Sequence, residues 1–231
     1  MRTTTLIIFA IFIFNQNIFA QKERWTVKAG EETMQSIPDS IKFLYPHFLT
    51  GFVYFKDGKI SRAPVNYNLL VEEMQFISTN MDTLSIADEA TIKFITINND
   101  SFYYDKAYLQ TVTSNSSVKL AKKESLKIAD IQKMNVFNQP SSTASTNTVT
   151  HVYRAVGQSV ELNARANIVL VKQTAYFIGD KYNHFRPANK RSVMKMFGSK
   201  QSEIENFLNE NKIAFNKEDD LMKLVNFLQR M

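Results

Sequence analysis

The sequence predicts an α+β fold: a mainly antiparallel β-sheet (a sandwich, a roll or a part-barrel) followed by short C-terminal helices. Three observations carry this. Strand-type runs recur at short intervals from Thr50 onward, each closed by turn residues. Asp57-Gly58 lies between two such runs, which is the strongest short hairpin signal. Beyond Ser202 the apolar period becomes helical, with Leu221, Leu224, Val225 and Leu228 on one face.

The chain opens with a leader. Arg2 precedes an apolar run over 6–14, a polar break at Asn15, Gln16 and Asn17, and then Ile18-Phe19-Ala20 before Gln21. This is the layout of a secretory signal peptide over 1–20, cut between Ala20 and Gln21, although Ile18 is larger than the ideal residue at its position. A spanning helix needs about 20 apolar residues, and this run is shorter. The expected destination is therefore outside the cytoplasm: periplasm, outer-membrane surface or medium, with no transmembrane segment once the leader is removed.

Composition narrows the chemistry. The chain has no cysteine. A lipid anchor on a first-residue Cys, disulfides, thiol catalysis, zinc–thiolate sites and iron–sulfur clusters fall away together. Stability must come from burial, and 231 residues at 44% hydrophobic content supply the material. The formal charge is +6, lowered by one when Arg2 leaves with the leader. A mildly basic surface permits anionic partners without demanding them.

The elements follow in order. The lead-in over 21–49 is broken by Pro38 and Pro46 and reads as loop with at most a helical turn. A β-rich unit is expected over 50–135. Residues 51–56 and 59–61 flank the Asp57-Gly58 turn, whose two central residues are expected to take positive φ. Val65, Tyr67 and Leu69 share one face; Met74 and Phe76 run in the opposite phase, so a turn or bulge falls near Glu72-Glu73. Residues 91–97 are apolar on both faces, as in a covered central strand. Asn98-Asn99-Asp100 turns the chain into 102–104, then 107–113, and Ser114-Asn115-Ser116-Ser117 turns it into 118–120. Residues 122–134 suit either a strand or a short helix.

Residues 136–150 form a polar linker or loop, low in complexity and too poor in apolar surface to offset its ordering entropy. After it, 151–231 is expected to carry strands over 152–156, 162–171 and 174–178, which either complete the sheet or begin a small α/β module, and then helices. A basic helix is expected over 189–197, stopped by Gly198. Ser202 with Glu205 forms a capping box for the next helix, with Ile204, Phe207 and Leu208 as its apolar stripe. Asn216 is the expected cap of the last, with Glu218, Asp219 and Asp220 in its first turn.

Several phrases are shared with a wider group. Tyr54-Phe55-Lys56-Asp57-Gly58-Lys59, Val65-Asn66-Tyr67-Asn68-Leu69-Leu70, Glu73-Met74-Gln75-Phe76 and the ending over 210–221 resemble uncharacterised signal-peptide-bearing envelope or secreted proteins of Bacteroidota. The Ala20-Gln21 junction is similar too. The resemblance implies an envelope β-protein and carries over no catalytic residue.

Site chemistry is sparse. His47, His151 and His184 are dispersed, and no H-x-x-x-H or H-E-x-x-H spacing exists to hold a metal on a helix. No G-x-S-x-G elbow is present, Ser125-Leu126-Lys127 lies in no S-x-x-K context, and the six glycines form no phosphate loop. The acidic pairs Glu72-Glu73 and Asp88-Glu89 would point to opposite faces of an extended chain, whereas glycosidase chemistry needs two carboxylates facing one cleft. No catalytic residue, metal ligand or cofactor is therefore assigned.

One cluster is worth following: Lys181, Arg186, Lys190, Arg191 and Lys195, with Lys200 beyond and Tyr182, His184 and Phe185 interleaved. Cations beside aromatics suit anion binding. The leading expectation is an exported, non-catalytic binding or assembly module whose partner is an envelope protein or an anionic surface polymer, with no nucleic acid expected. The alternative is a carrier or sensor of a lipid or other apolar ligand inside a curved sheet. A hydrolase with dispersed carboxylates and histidines comes third.

Overall fold

The computed structural model describes residues 24–28, 37–114, 117–134, 140–142 and 166–231. The leader, the Ala20-Gln21 junction, the 152–156 run and most of the polar stretch lie outside the described residues. The described chain is an α+β protein dominated by antiparallel sheet, with short helices at its C-terminal end.

The strands are β1 (Arg24–Val27), β2 (Leu49–Phe55), β3 (Ile60–Asn68), β4 (Glu73–Ile77), β5 (Thr83–Ser85), β6 (Ile92–Ile97), β7 (Asp100–Tyr104), β8 (Tyr108–Ser114), β9 (Val118–Met134), β10 (Pro140–Ser142), β11 (Ala166–Asp180) and β12 (Phe185–Pro187). A short helix α1 (Asp39–Lys42) precedes β2, and α2 (Lys190–Met196), α3 (Gln201–Glu210) and α4 (Glu218–Leu228) close the chain. The strand order is β1-β11-β9-β8-β7-β6-β2-β3-β4-β5, with β10 on β9 and β12 on β11.

The hairpins arise where turn residues permit them. Between β2 and β3 only Gly58 has positive φ, at 91°, and the loop closes with Phe55 N–H donating to Lys59 O at 2.9 Å. The expected turn with two left-handed residues is thus replaced by a longer loop that needs one glycine. Glu72, at φ 61°, reverses the chain between β3 and β4, and Asn98, at φ 53°, does so between β6 and β7.

The doubly apolar run in β6 has a specific cause. Tyr54 pairs with Phe94 but Phe55 pairs with Ile92, so Lys93 is an extra, bulged residue. The bulge shifts the phase and puts Ile92 on the same face as Ile95 and Ile97. All three are buried, while Phe94 takes the opposite face.

Residues 122–134 are strand, the long continuation of β9. The described residues of the two runs anticipated over 162–171 and 174–178, from Ala166 on, belong to a single strand, β11, whose fifteen residues pair with β9 from Ala166↔Lys133 to Asp180↔Val118. The chain after the polar stretch therefore joins the same sheet. Pro140–Ser142, inside that polar stretch, pairs with Gln132–Met134.

The sheet is open in its strand order but curls until two distant strands meet. Leu126 N–H on β9 donates to Leu69 O at the end of β3, at 2.7 Å. Inside the curl lies the larger core: Val53, Val65, Tyr67, Met74, Ile95, Phe102, Tyr108 and Leu170 among others. The same faces of β9 and β11 continue past it. Val118, Leu120 and Ile178 pack there against Val193 of α2, Ile204 and Leu208 of α3, and Leu221, Leu224, Val225 and Leu228 of α4. Each such fully buried side chain is worth about 1.5–3 kcal/mol relative to exposure.

Two anticipated caps are not formed. The 3-10 turn Gly198–Lys200 runs into α3, so Lys200 is the cap residue and Ser202 sits inside the helix. Lys217, not Asn216, caps α4, and Asp220 instead accepts from Ala214 N–H at 3.2 Å. The acidic first turn of α4 and its buried stripe are as anticipated. Asn189 caps α2, accepting from Ser192 N–H at 2.8 Å.

Glu72 ties the closing point of the curl. Its carboxylate accepts from Lys123 Nζ at 2.8 Å and from Lys127 Nζ. Burial pushes its pKa up, but the two lysine hydrogen bonds outweigh this and leave it below the ordinary glutamate value. A carboxyl held low contributes stability that is present above its unfolded pKa and is lost as pH falls through the folded one. Acid titration of the melting temperature should therefore show a loss, below the usual carboxylate range, that is smaller in Glu72→Gln. Identical acid limbs would contradict it.

Candidate docking face

Alternation along a strand sends one set of side chains into the core and the other outward. In β2 the core set is Gly51 and Val53, so Phe52 and Tyr54 point out. Register then assigns their neighbours. Tyr54 pairs with Ile60 and Phe52 with Arg62 on β3. Tyr54 pairs with Phe94 and Phe52 with Thr96 on β6. On β7, Phe102 is core and Tyr103 is outward.

These residues form a row of rings across the sheet. Tyr54 and Phe94 stack with centroids 4.3 Å apart and planes 19° apart. Phe94 lies 6.2 Å from Tyr103, and Tyr103 lies 6.0 Å from Phe185 of β12. Phe185 can lie flat there because Gly179, its pairing partner, has no side chain: a Cβ would meet the Phe185 ring. Cross-strand aromatic contacts of this kind are worth roughly 0.2–1 kcal/mol each relative to alanine pairs, so the row also stiffens the sheet.

Two cations lie over the row. The Arg62 guanidinium is 6.0 Å from the Phe52 centroid, and Lys119 Nζ is 5.0 Å from that of Tyr103. Lys119 also donates to Asn183 Oδ1. Burial lowers the Lys119 pKa, and the Asp180 charge opposes that shift. Ile60 is 60% exposed and Phe52 38%, which is high for such side chains on a folded sheet. The outward positions of β2, β6, β7 and the first half of β3 hold hydroxyls, apolar groups, Arg62 and the bulged Lys93, and no carboxylate.

The basic cluster expected from the sequence is distributed over three elements. Lys181 and Tyr182 lie in the β11–β12 turn, with Lys181 Nζ 4.9 Å from the Tyr182 ring centroid. Asp180 organises that turn, accepting from Tyr182 N–H at 2.8 Å and His184 N–H at 3.0 Å and meeting the His184 ring Nδ1 at 3.1 Å. Arg186 follows Phe185 on β12, so alternation turns it to the opposite face. Lys190 is paired with Glu205, and Lys200 with Glu203 at 3.3 Å. Arg191 and Lys195 are four residues apart on α2 and share an exposed face. Of the expected set, only the turn residues beside Phe185 adjoin the ring row.

One cleft among the described residues is small. Trp25, Ile41, Leu44, Leu69, Leu126 and Leu170, together with Arg24 and Lys172, line a space of about 90 Å³. Small-molecule pockets run to about 300–1,000 Å³. Among the described residues no group of three His, Asp or Glu side chains is placed to hold a metal ion, and no helix is long and apolar enough to cross a membrane.

Sequence reasoning singled out no aromatic row on the sheet and so missed it. The signal was present in Phe52 and Tyr54, two large rings at alternate positions of a strand whose other face is also filled. Comparison with known protein families, with characterised proteins and with solved structures finds no match to this chain.

Proposed function

We propose that this chain is an exported, non-catalytic binding module that holds an envelope partner on the outer face of its sheet. One observation carries the reading: a face that no described helix covers, with a continuous row of half-buried rings, the exposed Phe52 and Ile60 at its edge, two ring-seated cations and no carboxylate at the outward positions of β2, β6, β7 and the first half of β3. Interface cores are marked by aromatic and Arg enrichment and by depletion of other charges. The rings are already held by one another, so little side-chain entropy remains to be lost on docking. The cleft beside Trp25 lacks the volume for a lipid, so among the described residues it gives the carrier reading no support.

Retention on the protein's native envelope fraction tests this. The double variant Phe52→Ser with Ile60→Asp changes two exposed side chains and should fold, yet should be lost from the pellet. Unchanged retention would sink the reading.

A further inference from the structure

We infer that the outer face takes an acidic polysaccharide, laid across the strands from β3 toward β7; this rests on the binding reading above and names its ligand class. Three features select it. First, the outward positions of β2, β6, β7 and the first half of β3 carry no acid to repel a polyanion, while Arg62 and Lys119 stand over rings; the nearest carboxylates, Asp105, which accepts from Phe185 N–H at 2.9 Å, and Asp180 near Lys119, lie at the β12 end, beyond the strands the polymer would cross. Second, hydroxyls flank the rings. Thr50, Thr96 and Ser101 are outward neighbours of Phe52, Tyr54 and Phe94 by register. Hydroxyl and aromatic groups together match a sugar, which presents hydroxyls and C–H edges in alternation. Third, the row crosses strands, so its contact points recur at the strand spacing of about 4.8 Å. A linear polymer can meet such a row repeatedly, whereas a single small ligand meets it once.

The competing occupants fit less well. A second copy docked through the same face by a two-fold axis would set this cationic surface against itself, which costs affinity. An anionic lipid surface would satisfy the charges and, through its head groups, the hydroxyls, but separate head groups are not joined into a linear chain that could follow the row.

The test uses the mature chain with polygalacturonate as the polyuronate, neutral dextran as the uncharged control, and phosphatidylglycerol vesicles as the lipid source. Binding is followed by calorimetry and by co-sedimentation. Polygalacturonate should bind and dextran should not, and added salt should weaken the complex because the contact is partly exposed. Arg62→Ala should lower affinity about tenfold, the scale of one charge-assisted contact. Arg62→Gln serves as the second variant if the alanine form melts early.

Binding to vesicles without binding to polygalacturonate would overturn the inference in favour of lipid. Equal affinity of the Arg62 variants, with unchanged melting, would overturn it as well. If polygalacturonate is ignored while envelope retention still depends on Phe52 and Ile60, the ligand class is wrong and the docking face stands. If retention is independent of them too, both fail.

Discussion

Replacing Phe102 by Ala should cost about 3–5 kcal/mol of unfolding free energy, the range for removing a buried aromatic side chain. Phe102 is 2% exposed and sits at the centre of the curl. Its ring centroid lies 6.4 Å from that of Tyr67, which reaches it from β3, a strand separated from β7 by two others in the sheet order. The ring therefore bridges walls that the backbone ladder does not join directly. Neighbours held by strand pairing cannot collapse into the space, so the cavity penalty adds to the lost transfer energy. Nearby hydroxyls make collapse less favourable still, because those of Tyr67 and Tyr108 are buried without a hydrogen-bond partner among the described residues. Chemical denaturation read by tyrosine fluorescence would measure the change. A loss under about 0.5 kcal/mol, the scale of a surface substitution, would mean that the curl is not packed as described.

Leu224→Ala should cost about 2–5 kcal/mol by the same reasoning, but from the other core. Leu224 is fully buried between α4 and the upper halves of β9 and β11. Its neighbours Leu221, Val225 and Leu228 sit on the same helix, while Ile204 and Leu208 come from α3. The two cores share β9 and β11, so neither can open without exposing the flank of the other. Melting followed by helical circular dichroism and by aromatic fluorescence should consequently give one coincident transition in the native chain and in the variant. A helical signal lost well before the sheet signal would show that the C-terminal helices are only loosely coupled to the strands they cover.

The local features of the fold were legible because local chemistry decides them. Gly58 had to be glycine-like for the β2–β3 loop, and the reversal at Glu72 was visible as a change of apolar phase between Leu69 and Met74. The stripe Leu221, Leu224, Val225, Leu228 named the buried face of α4 in full. What could not be read was non-local. Nothing in Arg24–Val27 announces that it pairs with Ile168–Val171, and nothing in the Lys-rich run of β9 announces the strand that covers it. Strand pairing depends on what arrives from elsewhere in the chain, and Lys, Glu and Gln are poor indicators of it.

The caps failed for a different reason. Ser202 and Glu205 have capping-box spacing, but the tight turn at Gly198–Lys200 already supplies a helical lead-in, so the motif begins one turn too late. The outer face was half legible. Its residues are conspicuous in β2, yet which face the described helices leave open depends on where α2, α3 and α4 dock, and they dock on the core side of β9 and β11. The basic residues were counted correctly but belong to different elements, because Glu205 and Glu203 engage Lys190 and Lys200 and strand alternation separates Arg186 from Phe185.

The most direct test compares two surfaces in one measurement, the fraction of protein held by the native envelope at increasing salt. A working outer face predicts that Phe52→Ser with Ile60→Asp releases the protein, while Arg191→Ala with Lys195→Ala on α2 leaves it bound. Release by the α2 pair, with the outer-face variant still retained, would contradict the assignment and move the binding surface to the helices.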